Sequence, residues 1–454
     1  MSGRTEMKQN LTDGNIGKKL ILFFLPIAAG TIFPQLYNAV DGIIVGKFVG
    51  TIALAAVGGS AAIIMNVLIG FFVALSGGCT VVIAQLFGAG DEERLKAATG
   101  TAVCFCLIAG AVLTVLGIVL TVPMLKLMQT PADTMHESTL YLRIIFIGVA
   151  AQLLYNVEAG ILRAVGDSKS PFIYLVICCI VNVVLDLVFV LVFGMGVDGV
   201  AMATVIAQCL SALLAAIKLG RSSEAYRVSF RGLSMNRRIF SHMMHIGIPT
   251  GFQAAMYSVS NMLIQVPINL LGTTVVASWA LAGRIDGIFW ATSNAAGIAV
   301  MNFAAQNFGA GKTDRVYDVT KLSLKIFLTV AVCFSAFFMI VSRPVLPFFN
   351  DDPSVIECTW YILRHFAPFY CIWTLVEVLS GVLCGVGDAV KAVLFCGIGT
   401  CLLRVLWILF IHPMFPTLFD LCILYPISWG ITAVAFVVYF RSGRWEKRRG
   451  ILTE

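Results

Sequence analysis

Twelve long apolar runs constrain this chain more than any other feature. Each has about 20 residues or more, the length that a helix needs to cross about 30 Å of hydrocarbon. Charged residues make up only 12% of the chain, whereas soluble domains carry about 25%. The pattern therefore predicts an all-α polytopic membrane protein. The predicted spans are 17–46, 53–80, 95–122, 138–162, 171–194, 197–219, 242–270, 274–303, 318–342, 355–384, 390–412 and 417–440.

The spans form two groups of six, and the longest polar stretch of the chain separates the groups. We therefore predict an N-terminal six-helix lobe at 1–220 and a central cytoplasmic loop at 221–241. A C-terminal six-helix lobe is predicted at 242–454, and it ends in a short basic cytoplasmic tail.

The two halves also repeat each other in sequence. The string AQLFGAG at 84–90 recurs as AQNFGAG at 305–311, and GILRAVGD at 160–167 recurs as GVLCGVGD at 381–388, both shifted by 221 residues. Because each half has an even number of helices, both halves enter the membrane from the same side, which predicts a pseudo-twofold axis along the membrane normal. The strings lie at predicted helix ends, where glycine permits a tight turn.

Basic residues predict the orientation, because lysine and arginine are retained on the cytoplasmic side. With both termini cytoplasmic, the cytoplasmic segments hold all but seven of the 31 lysines and arginines. This bias explains the net charge of +7 without a nucleic-acid partner. The seven basic residues outside the cytoplasmic segments are Lys47, Lys126, Arg143, Arg284, Arg343, Arg364 and Arg404.

We predict a monomer in the cell inner membrane that contacts lipids and small molecules.

Asp41 lies inside the first apolar span, on a predicted helix that also holds Pro26 and Pro34. A carboxylate at the centre of a membrane helix costs about 2.5–3.5 kcal/mol on insertion scales, so by default it marks an ion or substrate pathway. Each proline removes a backbone donor and can kink the helix. We therefore expect this helix to bend and Asp41 to be functional.

Three polar residues of the fifth and sixth spans are expected in the outer half of the membrane with Asp41. Asp186 lies about 24 Å from the cytoplasmic start of its helix, and Asn182 lies one turn below it on the same face. Thr204 lies about 8 Å below the outer end of the sixth span. Such oxygen ligands suit Na⁺, and paired carboxylates suit a shared proton because both cannot ionise at low cost. The coupling ion stays open between Na⁺ and H⁺.

Cofactor and enzyme signatures are missing from the sequence. The 13 cysteines nearly all fall in apolar runs and form no CxxC pair, so neither a zinc site nor a disulfide framework is predicted. No HExxH or GxSxG motif occurs on the predicted helices, which disfavours an intramembrane enzyme. We predict no cofactor other than the coupling ion.

The chain resembles the multidrug and toxic compound extrusion (MATE) family. The features that carry the resemblance are the twelve spans, the two matched halves, the acid of helix 1, the run NVVLD at 182–186 and the paired FGAG and VGD turns. The resemblance covers essentially the whole chain. In that family, two six-helix lobes form a V around a central cavity. Cation entry drives the efflux of amphipathic, often cationic, drugs.

The resemblance also implies roles for individual residues. Asp41, Asn182, Asp186 and Thr204 would form the cation site of the N-lobe, with Tyr37 beside it, and these four would be the ligands if the ion is Na⁺. Bending of helix 1 at Pro26 would couple this site to drug release.

The second half departs from the family branch that carries a C-lobe sodium site. That branch has an acid about two turns after the proline of helix 7, and the position counted from Pro249 is near Tyr257, with no acid in the helix. A C-lobe sodium site is therefore not expected. Glu377 in the tenth span either faces the cavity or pairs with Arg404.

A drug cavity needs apolar surface with a few polar anchors, and methionine adapts to varied ligands. The candidate cavity residues are Tyr37, Met256, Met262, Phe289, Trp290, Met301, Asn302, Trp373 and Glu377.

Arg284 and Asp286 are expected to pair locally and to stabilise the eighth span.

These features together predict an antiporter that uses H⁺ or Na⁺ to export drugs and toxic compounds by alternating access. The alternative is a lipid-linked oligosaccharide flippase of the same superfamily. A flippase is expected to have a more cationic cavity than the few membrane arginines of this chain provide.

Overall fold

The computed structural model describes residues 10–229 and 233–447, except for the side chain of Leu36. Every regular element in these ranges is helical. We number the long helices α1 to α12 in chain order, and each corresponds to one predicted span. Their bounds are Ile16–Val49, Thr51–Ala89, Glu92–Leu127, Met135–Ala164, Lys169–Val192, Val197–Gly220, Arg237–Leu270, Thr273–Gly309, Thr313–Phe348, Pro353–Gly385, Ala389–Met414 and Leu418–Arg441.

Eleven of these helices in the described ranges are long and apolar enough to cross a membrane. The other is α7, whose 34 residues extend about 50 Å at 1.5 Å per residue. It carries more polar side chains than its neighbours, among them His242 and His245 near its start. The prediction of an all-α polytopic membrane protein is confirmed.

Helix α7 begins at Arg237, earlier than the predicted start of the seventh span at residue 242. Asn236 explains the difference, because its Oδ1 accepts hydrogen bonds from the backbone N–H groups of Arg238 and Ile239, both at 3.1 Å. A side-chain oxygen in this place caps the first turn of a helix. Residues 230–232 of the predicted central loop, and 1–9 and 448–454 at the termini, lie outside the described residues.

The repeated strings form matching turns in the two halves. Gly90 and Gly311 both have a φ of 70°, and Gly166 and Gly387 have φ values of 92° and 87°. Glycine adopts such positive φ angles without the steric cost that other residues meet. The repeat in sequence is therefore a repeat in backbone conformation.

The chain folds into two compact units. The first is built mainly from Leu25–Gly251, and α4 packs at its centre against α2, α3 and α6. The second is built from Thr12–Phe24 and the chain from Phe252 onwards, and α10 packs at its centre against α8, α9 and α12. Since α4 and α10 are equivalent helices of the two halves, the same helix is central in each unit.

Small residues allow α3 to approach α4 closely. A Cβ atom at Gly110 would lie 2.8 Å from the Cα of Ala150, and one at Gly117 would lie 2.2 Å from a ring carbon of Phe146. Membrane helices associate through such small residues, because lipid tails provide no hydrophobic driving force between helices. Substitution of either glycine by a larger residue would push α3 away from α4.

The first residues of α1 pack in the second unit, although most of α1 belongs to the first. The ring of Phe24 lies 4.9 Å from the ring of Phe327 on α9. Just before α1, the carboxylate of Asp13 pairs with Lys312 Nζ at 2.7 Å. The hydrogen bond from Lys312 holds the pKa of Asp13 below its ordinary value. The chain changes unit between Phe24 and Leu25, beside Pro26.

The start of α7 shows the reciprocal arrangement. Its residues up to Gly251 pack in the first unit, where Thr250 Oγ1 donates a hydrogen bond to the carbonyl oxygen of Ala74 at 3.0 Å. A Cβ atom at Gly78 of α2 would lie 2.6 Å from the backbone nitrogen of Gly247. The chain changes unit just after Pro249, so both exchanges occur next to a proline.

Candidate functional site

Two membrane acids of the first unit lie just before wide helical turns. Asp41 precedes a π-helical turn at Val45–Val49 in α1, and Asp186 precedes one at Val188–Val192 in α5. Such turns are frequent at functional sites. Both turns contribute to one buried apolar cluster, which also contains residues of α2 and α6. The cluster joins α1 to α5 and brings their acids together.

The carboxyl groups of Asp41 and Asp186 are close enough to interact directly. Asp186 is fully buried, and neither of its oxygens accepts a hydrogen bond from an N–H or O–H group. One oxygen of Asp41 is also buried without a donor. Two ionised carboxylates would repel each other and would both lose hydration here. The arrangement suits a pair that holds one proton or one cation.

A cavity of about 240 Å³ in the first unit is lined by Tyr37, Asn182 and Thr204, among other residues. Tyr37 is also within electrostatic range of the Asp41 and Asp186 carboxyl groups, so the acid pair adjoins this cavity. Asn182 is 2% exposed, and neither its amide oxygen nor its amide nitrogen has a partner. The Thr204 hydroxyl donates to a carbonyl of its own helix at 3.0 Å.

Four polar residues of this region were not predicted from the sequence. Gln152 and Asn156 on α4 and Gln208 on α6 line the cavity, and the side-chain oxygens of Gln152 and Gln208 are buried without donors. Tyr141 of α4 lies within electrostatic range of both acids. The available signal was the spacing of Gln152 and Asn156, because residues four apart share one face of a helix.

A metal ion at this site would need mixed ligands. Within 10–229 and 233–447, no cluster of three or more His, Cys, Asp or Glu side chains is suited to a metal. Two carboxylates with amide and hydroxyl oxygens are hard ligands of the kind that alkali and alkaline-earth cations prefer. The chemistry of the donors therefore fits Na⁺ or a proton better than a transition metal.

Of the aromatic residues predicted for the drug cavity, Tyr37 lines the cavity of the first unit, whereas the three of the second half belong to one cluster within the second unit. Phe289 stacks on Tyr370 with the ring centroids 3.9 Å apart, and Trp290 lies 5.2 Å from Trp373. Phe289 and Trp373 are buried. These residues form a packed aromatic cluster, and they are not among those lining the cavity of the first unit.

The other candidates of the second half are placed more variously. Met256 and Met262 on α7 are 37% and 57% exposed, and Met301 on α8 is half-buried. Asn302 is buried, and its Nδ2 donates to the carbonyl oxygen of Ile298 at 2.8 Å. The Asn302 amide oxygen has no donor.

Asp286 does not pair with Arg284, so that expectation was wrong. Its carboxylate accepts hydrogen bonds from Trp290 Nε1 at 3.0 Å and from the Tyr370 hydroxyl at 3.4 Å. Residues two apart on a helix do not face each other, which explains why the local pair does not form. Asp286 instead ties α8 to α10.

Glu377 and Arg404 do not pair with each other either. The Arg404 guanidinium lies 4.1 Å from the ring centroid of Tyr425, and its Nε donates to Ser428 Oγ at 3.4 Å. Glu377 lies against Gly297 of α8. Of the two alternatives for Glu377, pairing with Arg404 is therefore not observed.

The family model described as MatE matches residues 26–188 and 249–409, which is more than half of the chain. The chain belongs to the MatE family. The two matched segments begin at Pro26 and Pro249, the prolines beside which the chain changes unit. Members of this family are membrane transporters and not enzymes, so the prediction that the protein is not an enzyme is confirmed.

Several relatives of this MatE protein carry names that describe transport. It is 27% identical over 379 residues to the probable multidrug resistance protein YoeA of Bacillus subtilis, with 82% of each chain covered. It is 27% identical over 376 residues to a protein of Shewanella oneidensis named as an FAD transporter, with 78% of this chain and 79% of the relative covered. A crystal structure of MATE in the straight conformation superposes with a TM-score of 0.89 at 22% identity, covering 97% of this chain and 98% of the other.

Proposed function

We propose that this MatE protein is a cation-coupled antiporter that exports amphipathic, often cationic, compounds by alternating access. The observation that carries the proposal is the electrostatic interaction of the Asp41 and Asp186 carboxyl groups beside a polar cavity. An acid pair that holds one positive charge can exchange that charge for a cationic substrate. Either the coupling cation or the substrate then occupies the site at one time. The multidrug relatives support this reading over a lipid-linked oligosaccharide flippase.

The cavity of the first unit provides the surface for substrate contact in this scheme. Three of its lining residues, Gln152, Asn182 and Gln208, have buried side-chain oxygens that lack donors. Such oxygens accept hydrogen bonds from ammonium and other N–H groups. We propose that this amide-lined cavity contacts the substrate, and that the predicted second-half residues, including Met256, Met262 and Glu377, contribute further surface in other conformations.

We propose that bending of α1 at Pro26 links the acid pair to the opening of the cavity. Proline leaves a carbonyl of the preceding turn without its helical partner, so a helix bends there at low cost. A change of charge at Asp41, on the same helix, would then favour one bend over another.

We also propose that the protein is a monomer in the inner membrane with both termini in the cytoplasm. A single cysteine introduced at Lys447 should then be shielded from an impermeant thiol reagent in intact cells, whereas one at Asp351, between α9 and α10, should be labelled. The unmodified protein provides the background from its native cysteines. Labelling at Lys447 in intact cells would reverse the orientation.

Purified protein in liposomes tests the coupling directly. Ethidium transport is followed under a pH gradient alone and under a Na⁺ gradient alone, with the membrane potential clamped. Transport driven by one of the two gradients is expected, and it identifies the coupling ion. If neither gradient drives ethidium movement while a bound substrate can be detected, the antiport mechanism is refuted.

A further inference from the structure

A further buried acid of the first unit, Glu158 on α4, takes no part in the site described above. Its side chain is 0% exposed, and neither carboxylate oxygen has a hydrogen-bond partner. A charged carboxylate is strongly disfavoured in an interior unless it is paired or hydrogen-bonded, so an isolated one takes up a proton. In this conformation, Glu158 is therefore neutral.

Glu158 and the acid pair lie toward opposite ends of the α4–α5 hairpin. Glu158 is about 9 Å from the end of α4 at Ala164, and Asp186 is about 26 Å from the start of α5 at Lys169, on the helical rise of 1.5 Å per residue. In the orientation proposed above, the α4–α5 turn is cytoplasmic. Glu158 then lies between the acid pair and the cytoplasm.

The cavity of the first unit has a lining residue near each of these two places. Tyr37 lines the cavity and is within electrostatic range of Asp41 and Asp186. Tyr155 lines the same cavity and is within electrostatic range of Glu158. The cavity, of about 240 Å³, has room for several waters, each of which takes about 30 Å³ in the liquid. The cavity therefore lies between a neighbour of the acid pair and a neighbour of Glu158.

Titratable side chains of α2, α3 and α4 lie in the region of Glu158. Cys106 of α3 is within electrostatic range of Glu158 and of Cys79 on α2. Arg163, further along α4, is within electrostatic range of Tyr155, and its Nε is buried without a partner. The cation Arg163 therefore interacts with Tyr155, and burial is the one influence resolved at Glu158. Cys178 and Cys179 of α5 are also within electrostatic range of Tyr155.

We propose that Glu158 is a second proton-binding site of this transporter, at the cytoplasmic end of a path that begins at Asp41 and Asp186. The proposal rests on the proposed function and its orientation. Glu158 first releases its proton to the cytoplasm and becomes a carboxylate. A proton then leaves the acid pair, passes through cavity water and the Tyr155 hydroxyl, and binds Glu158. One O–H bond breaks and one forms at each transfer, so one proton moves inward in total.

The Tyr155 hydroxyl donates to the carbonyl oxygen of Pro171 at 2.7 Å in this conformation. It must rotate away from that acceptor before it can donate to Glu158. The route is therefore closed in the state described here, and its opening depends on a change at the start of α5.

The test compares Glu158→Gln, Glu158→Asp and the matched control Glu137→Gln, which lies at the other end of α4. Infrared difference spectra between acidic and alkaline pH should contain a carbonyl band of a protonated carboxyl group that is absent from Glu158→Gln and present in the control. Ethidium binding by Glu158→Gln should stay within about twofold of wild type, because the cavity is unchanged. Ethidium efflux driven by a pH gradient should fall at least about tenfold, since a positioned proton-transfer group contributes typically about 10²–10⁴-fold. Glu158→Asp should retain most of the efflux.

The outcomes separate this inference from the proposed function. If Glu158→Gln has the efflux rate and the infrared difference spectrum of the wild type, the role of Glu158 is overturned, even if Asp41→Asn abolishes coupling. If the wild type shows efflux under neither a pH gradient nor a Na⁺ gradient, the proposed function fails, and the infrared band still decides whether Glu158 holds a proton. If only a Na⁺ gradient drives efflux, the proposed function stands and the proton path through Glu158 is refuted. If Glu158→Gln does not accumulate, the wild type is treated with dicyclohexylcarbodiimide, an apolar reagent that modifies protonated carboxyl groups. Modification of Glu158 found by mass spectrometry supports the proposal, and its absence refutes it.

Discussion

Asp41→Asn tests the coupling mechanism with little change in shape, because asparagine keeps the size and the hydrogen-bonding capacity of the side chain. Two ionised carboxylates about 4 Å apart repel each other by about 4 kcal/mol at an effective dielectric constant of about 20. That energy lowers the population of the doubly ionised pair by a factor of about 10³. Asp41 and Asp186 should therefore exchange one positive charge in each cycle.

One proton moving across one pH unit supplies about 1.4 kcal/mol, which sustains about a tenfold concentration ratio of a monovalent substrate. Liposomes with a tenfold gradient of the coupling ion, which for H⁺ is one pH unit, should thus hold about a tenfold ethidium ratio with the wild type and equal concentrations on both sides with Asp41→Asn. Asp133→Asn, in the exposed α3–α4 connection, is the matched control and should behave as wild type. Asp186→Asn should leave some transport with a changed pH or Na⁺ dependence. A tenfold ratio maintained by Asp41→Asn would refute the coupling role of the acid pair.

Three further substitutions test other parts of the structure. Pro26→Ala should bind ethidium normally but transport it more slowly in liposomes, because α1 bends less easily; a rate equal to wild type would exclude a hinge there. Trp290→Phe should lower the free energy of unfolding by about 1–3 kcal/mol, because Asp286 loses a hydrogen-bond donor, and an unchanged melting temperature in detergent would contradict this. Asp13→Asn should speed trypsin cleavage at the lysines that follow it. Lys312 lowers the pKa of Asp13. The Asp13–Lys312 contact of the wild type is therefore present above the ordinary pKa of 3.8 and is lost as pH falls through the lowered pKa. Equal cleavage rates of wild type and variant at neutral pH would show that this contact does not hold the start of α1.

Much of the fold followed from the sequence because the membrane leaves few alternatives. A chain must satisfy its backbone hydrogen bonds within the hydrocarbon, so each long apolar run becomes a helix. The position of Asp186 relative to Asp41 followed from helix length alone, since the rise per residue fixes depth. The turns at 84–90 and 305–311 followed from glycine. The early start of α7 did not follow, because it depends on the cap formed by Asn236.

The parts of the site that escaped the sequence analysis have a common physical cause. Gln152 and Gln208 are uncharged, so their presence in apolar spans carries a weaker signal than that of Asp41. The partners of Asp286 lie on another turn and another helix, at Trp290 and Tyr370. Helix depth indicates which residues share a level in the membrane, but the rotation of each helix decides which of them touch. That rotation is determined by packing, which no single helix encodes.

The exchange of helix starts between the two units bears on how the protein is made. The first unit includes residues up to Gly251, so it is not complete when the ribosome has delivered only the first six helices. The second unit needs Thr12–Phe24, which are synthesised long before the rest of it. The early segment must therefore wait in the membrane for its partners α8 and α9, and the first unit must wait for α7. Two separately expressed halves, divided within the central loop, should accumulate poorly alone and should stabilise each other when produced together.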